Sequence, residues 1–206
     1  MPPSSRHPVL AMEYPTVNRW NSLMDNYHGW RTETGFATKL LLVFIFAELT
    51  AFGALARIYT PFTPVPFTLQ TFFVLLSGVM LGRYWGGLSQ VLYIAIGFVG
   101  VPWFAGATGG VDIVFGATGG YLLGFVLAAL LIGEMTEKRS ARDWKSLFPL
   151  MTCASMLILL CGTIGLVLLG FSIGQAFVLG FIPFVGVELV KALAAGGAAN
   201  FLTQKQ

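Results

Sequence analysis

Six apolar runs occupy nearly everything between residues 38 and 202 of this 206-residue chain. They lie near 38–58, 68–82, 85–100, 119–137, 147–170 and 174–202. Only 10% of the residues are charged, against about 25% in an ordinary soluble domain, so a folded surface in water would lack polar cover. A lipid-facing exterior removes that difficulty. Each bilayer crossing takes about 20 residues, so six crossings with short loops use up the length. The pattern predicts an all-α integral membrane protein, a compact bundle of six transmembrane helices over 37–206. The junction Gly82-Arg83-Tyr84 predicts a helical hairpin from the second and third runs. Both are short, and tilt, a kink or loop structure has to supply the missing length. Residues 1–36 read as a polar N-terminal extension, partly disordered or interfacial given Trp20, Tyr27 and Trp30. No apolar run with a cleavage site precedes Phe36, so a signal peptide is not expected.

The placement of positive charge predicts orientation. Arg6, Arg19, Arg31 and Lys39 precede the first run, and Arg83 separates the second from the third. Lys138, Arg139, Arg142 and Lys145 separate the fourth from the fifth, and Lys205 follows the sixth. With six crossings, ten of the 12 lysines and arginines fall on one side, leaving Arg57 opposite and Lys191 within the last run. By the positive-inside rule both termini are cytoplasmic.

Two loops then face outward. Tyr59 to Phe67 carries prolines at 61, 64 and 66 and predicts a stiff, extended cap. The other, Gly100 to Gly120, repeats Gly-Ala-Thr-Gly-Gly at 106–110 and 116–120 and holds one acid, Asp112, and no lysine or arginine. Its glycine density lets backbone approach a ligand or a neighbouring helix closely. Phe67, Tyr93, Trp103, Phe104 and Tyr121 flank these loops as pocket walls or interfacial anchors.

Catalytic patterns are scarce. No nucleophile arrangement, metalloprotease helix or phosphate-cradling loop is present, so an enzyme is disfavoured and any ATP hydrolysis belongs to another subunit. His7 and His28 form no metal pattern, no cofactor or nucleic-acid partner is expected, and Cys153 and Cys161 read as small apolar core residues. Three ionisable groups sit at membrane depth: Glu48 in the first run, Glu188 and Lys191 in the sixth. Such groups are costly there and face a bundle interior or a wet cavity. Glu188 and Lys191, three apart, share a helical face; they form either an ion pair that fixes packing or a polar contact pair offering a solute one acceptor and one donor. Glu48 is the weaker ligand candidate. Ala47 and Ala51 in the first run, and Ala192, Ala195, Gly196 and Ala199 in the last, form small-residue stripes for close helix approach, within the chain or with a partner.

Pro64-Val65-Pro66-Phe67-Thr68-Leu69-Gln70-Thr71 resembles the Val-Pro-Ile-Thr-Leu-Gln-Thr stretch of the biotin-binding S components of energy-coupling factor (ECF) transporters, the BioY family. Gly97, Gly100, Pro102, Phe104 and Gly106 fall at that family's spacing, and Gly116 with Thr118 to Phe125 is similar to its Gly-Pro-Thr-Gly-Gly-Tyr-Leu-Leu-Gly-Phe signature. The similarity spans roughly 40–202. Where the family's last helix reads Pro-Gly-Asp-Leu-Ile-Lys, this chain has Gly186-Val187-Glu188-Leu189-Val190-Lys191, a longer acid before the same lysine; Ala117 replaces a frequent proline.

The resemblance implies a six-helix S component in a prokaryotic cytoplasmic membrane. It implies biotin bound on the outer side, a membrane-embedded coupling subunit and two ATPase subunits. It implies that Ala47 and Ala51 face the coupling subunit. It also implies that Glu188 accepts from the ureido N–H groups, while Lys191 donates to the carbonyl or orients the acid. Tyr93, Trp103 and Phe104 would wall the rings, Gln70, Thr118 and Tyr121 would add polar contacts, and Thr108 or loop N–H groups would meet the carboxylate. Alternatives are an S component for thiamine or riboflavin and a structural membrane subunit.

Overall fold

The computed structural model describes residues 35–139 and 144–204. The N-terminal aromatics, both histidines and the cations Arg6, Arg19, Arg31, Arg142 and Lys205 lie outside the described residues. Apart from one short strand pair, the regular structure described is helical. In chain order it runs α1 (Phe36–Leu55), β1 (Arg57–Ile58), β2 (Phe67–Thr68), α2 (Gln70–Leu81), α3 (Arg83–Phe98), α4 (Val111–Val114), α5 (Gly119–Arg139), α6 (Trp144–Leu168), α7 (Ile173–Gly180) and α8 (Ile182–Gln204).

Four stretches are long and apolar enough to cross a bilayer: Phe36–Leu55, Gly119–Lys138, Lys145–Leu168 and Ile173–Leu202. The chain is a multi-pass membrane protein. The hairpin expected at Gly82 is present, but α2 has 12 residues and α3 has 16. At 1.5 Å per residue these span about 18 and 24 Å, short of a hydrocarbon core about 30 Å thick. Antiparallel β1 and β2, with Arg57 opposite Thr68 and Ile58 opposite Phe67, close the proline loop just before α2 begins.

The sixth apolar run is not one helix. Ser172 and Gln175 form a reciprocal cap that starts α7, and the helix breaks at Phe181. The physical reason is Pro183, which has no N–H for the carbonyl of Leu179. The Thr63 hydroxyl donates to that carbonyl at 2.7 Å, and the Tyr121 hydroxyl donates to the Gly180 carbonyl at 2.6 Å. A missing helical donor in one element thereby ties down the proline loop from another.

Close helix contact rests on small residues. Ala192, Ala195 and Ala199 on α8 are fully buried. A Cβ added at Gly120 on α5 would lie 2.4 Å from the carbonyl oxygen of Cys161 and 3.0 Å from the Cα of Gly165 on α6, so these two backbones touch. Gly120→Val is expected to cost about 1–3 kcal/mol, read as a lower temperature at which detergent-solubilised protein loses its monodisperse peak. Cys153, expected in the core, is exposed on α6, and Cys161 is half-buried; a lipid exterior accepts a small apolar thiol as readily as a core does. At the α2–α3 turn, Glu134 on α5 receives both Arg83 and Lys138, gathering charge at one end of the bundle.

Candidate functional site

The end of the bundle remote from Glu134 holds a cavity of about 250 Å3. Its rim is Tyr59 and Pro64 from the proline loop with Thr108 and Asp112 from the glycine-rich segment. Its walls are Tyr93 on α3, Phe104, Tyr121 and Phe125 on α5, Ile158 on α6 and Phe184 on α8, and its polar floor is Gln70, Thr71, Glu188 and Lys191. The shortness of α2 produces this space: the helix starts only at Gln70, so the floor residues lie where another turn or two would otherwise stand.

The floor is a closed polar circuit. Lys191 Nζ donates to the Thr68 carbonyl at 2.9 Å, to Thr71 Oγ1 at 2.7 Å, and to Glu188 Oε1. The Thr71 hydroxyl in turn donates to Glu188 Oε1 at 3.1 Å. An ammonium has three N–H groups, and all three of Lys191's are engaged. Glu188 is 3% exposed and its Oε2 has no partner. Three buried side-chain polar atoms lack one among the described residues, and of these only Glu188 Oε2 belongs to the cavity lining. A buried acceptor left open is costly, so this oxygen is where a ligand donor is most favoured.

A second open group faces the same space. Gln70 Oε1 accepts from the Thr68 hydroxyl at 2.9 Å, and Gln70 Nε2 donates to the Tyr93 hydroxyl at 2.7 Å. The Tyr93 O–H proton has no acceptor among the described residues, although Tyr93 is fully buried. Of the other lining hydroxyls, Thr108 donates to Ala105, Thr118 to Ile113 and Tyr121 to Gly180, while that of Tyr59 at the rim has no hydrogen bond among the described residues. Below the rim the cavity therefore offers one vacant buried acceptor, Glu188 Oε2, and one vacant buried donor, Tyr93 O–H, inside aromatic walls.

The aromatic walls are themselves braced. Phe104 meets Tyr93 edge-on at 5.3 Å, and Phe184 stacks on Phe67 at 4.4 Å. Phe104 is fixed by a tight turn in which its N–H donates to the Thr108 carbonyl at 2.8 Å, with Gly106 at φ +100° and Ala107 at φ +53°. The two Gly-Ala-Thr-Gly-Gly copies are not structural repeats: the first makes this turn, and the second leads through Thr118 into α5.

Of the residues expected at the site, Glu188, Lys191, Gln70, Tyr93, Phe104, Thr108, Thr118 and Tyr121 line the cavity together. Trp103 does not. It stands behind Tyr93, rings 5.4 Å apart, donating from Nε1 to the Tyr93 carbonyl at 3.0 Å. Glu48 is outside as well, exposed on α1. Ala47 and Ala51 are 0% and 7% exposed on the face of α1 turned toward α2 and α3, so as placed they offer nothing to a second chain. Thr71 and Phe184 were not anticipated. Thr71 stands beside Gln70 in the same sequence motif, whereas nothing near Phe184 distinguishes it from lipid-facing phenylalanines.

A BioY family profile matches residues 22–205. The chain is 42% identical over 142 residues to a probable biotin transporter BioY of Methanothermobacter thermautotrophicus, covering 64% of this chain and 89% of that one. It is 39% identical over 160 residues to the biotin transporter BioY of Thermotoga maritima, covering 76% and 90%. The fold superposes with a TM-score of 0.75 on a solved S-component for biotin from an ECF-type ABC transporter, at 22% identity, covering 82% of this chain and 92% of that one. The chain belongs to the BioY family.

Proposed function

We propose that this chain is the biotin-capturing subunit of a vitamin uptake system in a prokaryotic cytoplasmic membrane. The observation that carries the reading is the unpartnered Oε2 of buried Glu188, in a cavity whose other open buried group is the Tyr93 hydroxyl proton. A cyclic urea presents N–H donors and a carbonyl acceptor side by side, which suits that pair. Glu188 accepts from a ureido N–H, Tyr93 donates to the ureido carbonyl, and Phe104 and Phe184 cover the apolar thioether ring. Lys191, its three protons engaged, orients and neutralises Glu188. Gln70 aims the Tyr93 hydroxyl, while Thr118 and Tyr121 hold the walls and keep lone pairs for weaker contacts. A volume of about 250 Å3 lies just below the range of about 300–1,000 Å3 typical of drug-sized ligands, as a small bicyclic vitamin requires.

In this reading α7 and α8 together make one crossing, α2 and α3 two abbreviated ones, and the total is six with both termini cytoplasmic. The Arg83–Glu134–Lys138 cluster then lies inward, the cavity outward. Energy comes from two ATPase subunits through a membrane-embedded coupling subunit. Because Ala47 and Ala51 are buried, that subunit meets the exposed face of α1, where Leu41, Phe44, Ile45 and Phe52 surround Glu48. Isothermal titration of the purified, detergent-solubilised chain is expected to give saturable heat with biotin and none with thiamine or riboflavin. Heat with one of those and not with biotin would transfer the assignment to another vitamin, and no heat with any would end the capture reading.

A further inference from the structure

We infer that Arg57, supported by Tyr59, forms an anion subsite at the rim of the cavity that takes the carboxylate of the ligand's tail. The inference rests on the biotin reading above and adds a residue and a role to it. An anionic tail leaving the cavity needs donors at the rim, and the lining hydroxyl expected to serve, Thr108, already donates to the Ala105 carbonyl. The glycine-rich segment supplies no lysine or arginine, and its lining acid, Asp112, opposes a second negative charge.

The missing cation comes from a different loop. Arg57 opens β1, and its pairing with Thr68 anchors its backbone directly beside the polar floor. Its side chain turns over the Phe104 turn: a point one Cβ bond from Gly106 lies 3.0 Å from Arg57 Nη1, 2.9 Å from the Tyr59 hydroxyl and 3.3 Å from the Thr108 methyl. The guanidinium also rests on the Tyr59 ring, 5.3 Å from its centroid, which holds a long side chain in place at little entropic cost. Arg57 is exposed and has no carboxylate partner among the described residues, and the Tyr59 hydroxyl has no hydrogen bond there. Two open donors thus converge beside Thr108, and a guanidinium binds a carboxylate through paired N–H groups.

The test compares biotin with biotinamide, whose tail is uncharged, by titration calorimetry on the wild-type chain and on Arg57→Gln. Wild type is expected to bind biotin about tenfold more tightly than biotinamide, and Arg57→Gln to lose about that factor for biotin alone. Arg57→Lys should restore part of the preference. Should Arg57→Gln fail to fold, the wild-type salt response decides: added salt must weaken biotin more than biotinamide. Equal affinity of wild type for both ligands, or an equal loss of both in Arg57→Gln, would overturn the subsite while leaving biotin capture intact. A wild-type chain that binds neither ligand overturns biotin capture itself, and the subsite with it.

Discussion

Glu188→Gln is expected to raise the biotin dissociation constant about a hundredfold or more, measured by titration calorimetry on protein that still elutes as a folded, monodisperse species. The carboxamide replaces an open acceptor by a group that presents an N–H to the ureido N–H or leaves Lys191 facing a neutral amide. Removing one member of a buried charge pair costs about 3–5 kcal/mol, and here part of that cost falls on the bound state. A paired substitution separates site from scaffold. Glu188→Leu with Lys191→Met removes both charges, and such apolar replacement is often neutral or stabilising. The double variant should therefore keep its unliganded thermal stability while losing biotin binding altogether. If the pair only packed helices, the single change would lower stability and leave affinity where it was. Unchanged affinity in Glu188→Gln would remove the acceptor role assigned to Oε2.

The residues that line the cavity were legible in the sequence where they broke a local rule. Glu188 and Lys191 are conspicuous because charge is costly at membrane depth, and their spacing places them on one helical face. Tyr93 and Tyr121 stood out beside proline- and glycine-dense loops, and both line the cavity. Residues that obey the local rule could not be resolved. Phe184 is one apolar residue among many, and only the break at Phe181 turns it inward. Small-residue stripes have the same limit: the spacing of Ala47 and Ala51 marks a close-packing face but does not say whether the neighbour is α2 or another protein. Pro183 was visible in the last apolar run, yet one proline does not by itself end a membrane helix, since neighbouring groups can satisfy the carbonyl it strands. Here Thr63 satisfies that carbonyl and the helix still breaks. Thr71 needed geometry as well, because its value lies in bridging two residues more than a hundred positions downstream.

Gly97→Ala should abolish most biotin binding without touching a single polar group of the site. A methyl at this position on α3 would lie 2.1 Å from Cζ of Phe104 and 2.3 Å from Cε1, less than a carbon–carbon contact allows. Phe104 is 1% exposed, with Tyr93 set against its edge, so its ring can yield only toward the cavity. The backbone cannot swing away either. The Gly97 carbonyl accepts from Gly100 at 3.1 Å and from Gly110 at 2.7 Å, pinning both ends of the loop that carries Phe104. Overpacking of this kind costs about 1–3 kcal/mol. If that cost is relieved by moving the ring into ligand space, it appears as an affinity loss of roughly ten- to a hundredfold, with little change in the thermal stability of the unliganded chain. Phe104→Leu placed in the Gly97→Ala background shortens the side chain and should recover part of the affinity, although alone it should weaken binding by removing a wall. That reversal of sign, read in a double-mutant cycle, is specific to steric coupling between the two positions. Additive losses would mean that α3 shifts as a whole, and that the ring of Phe104 does not transmit the effect.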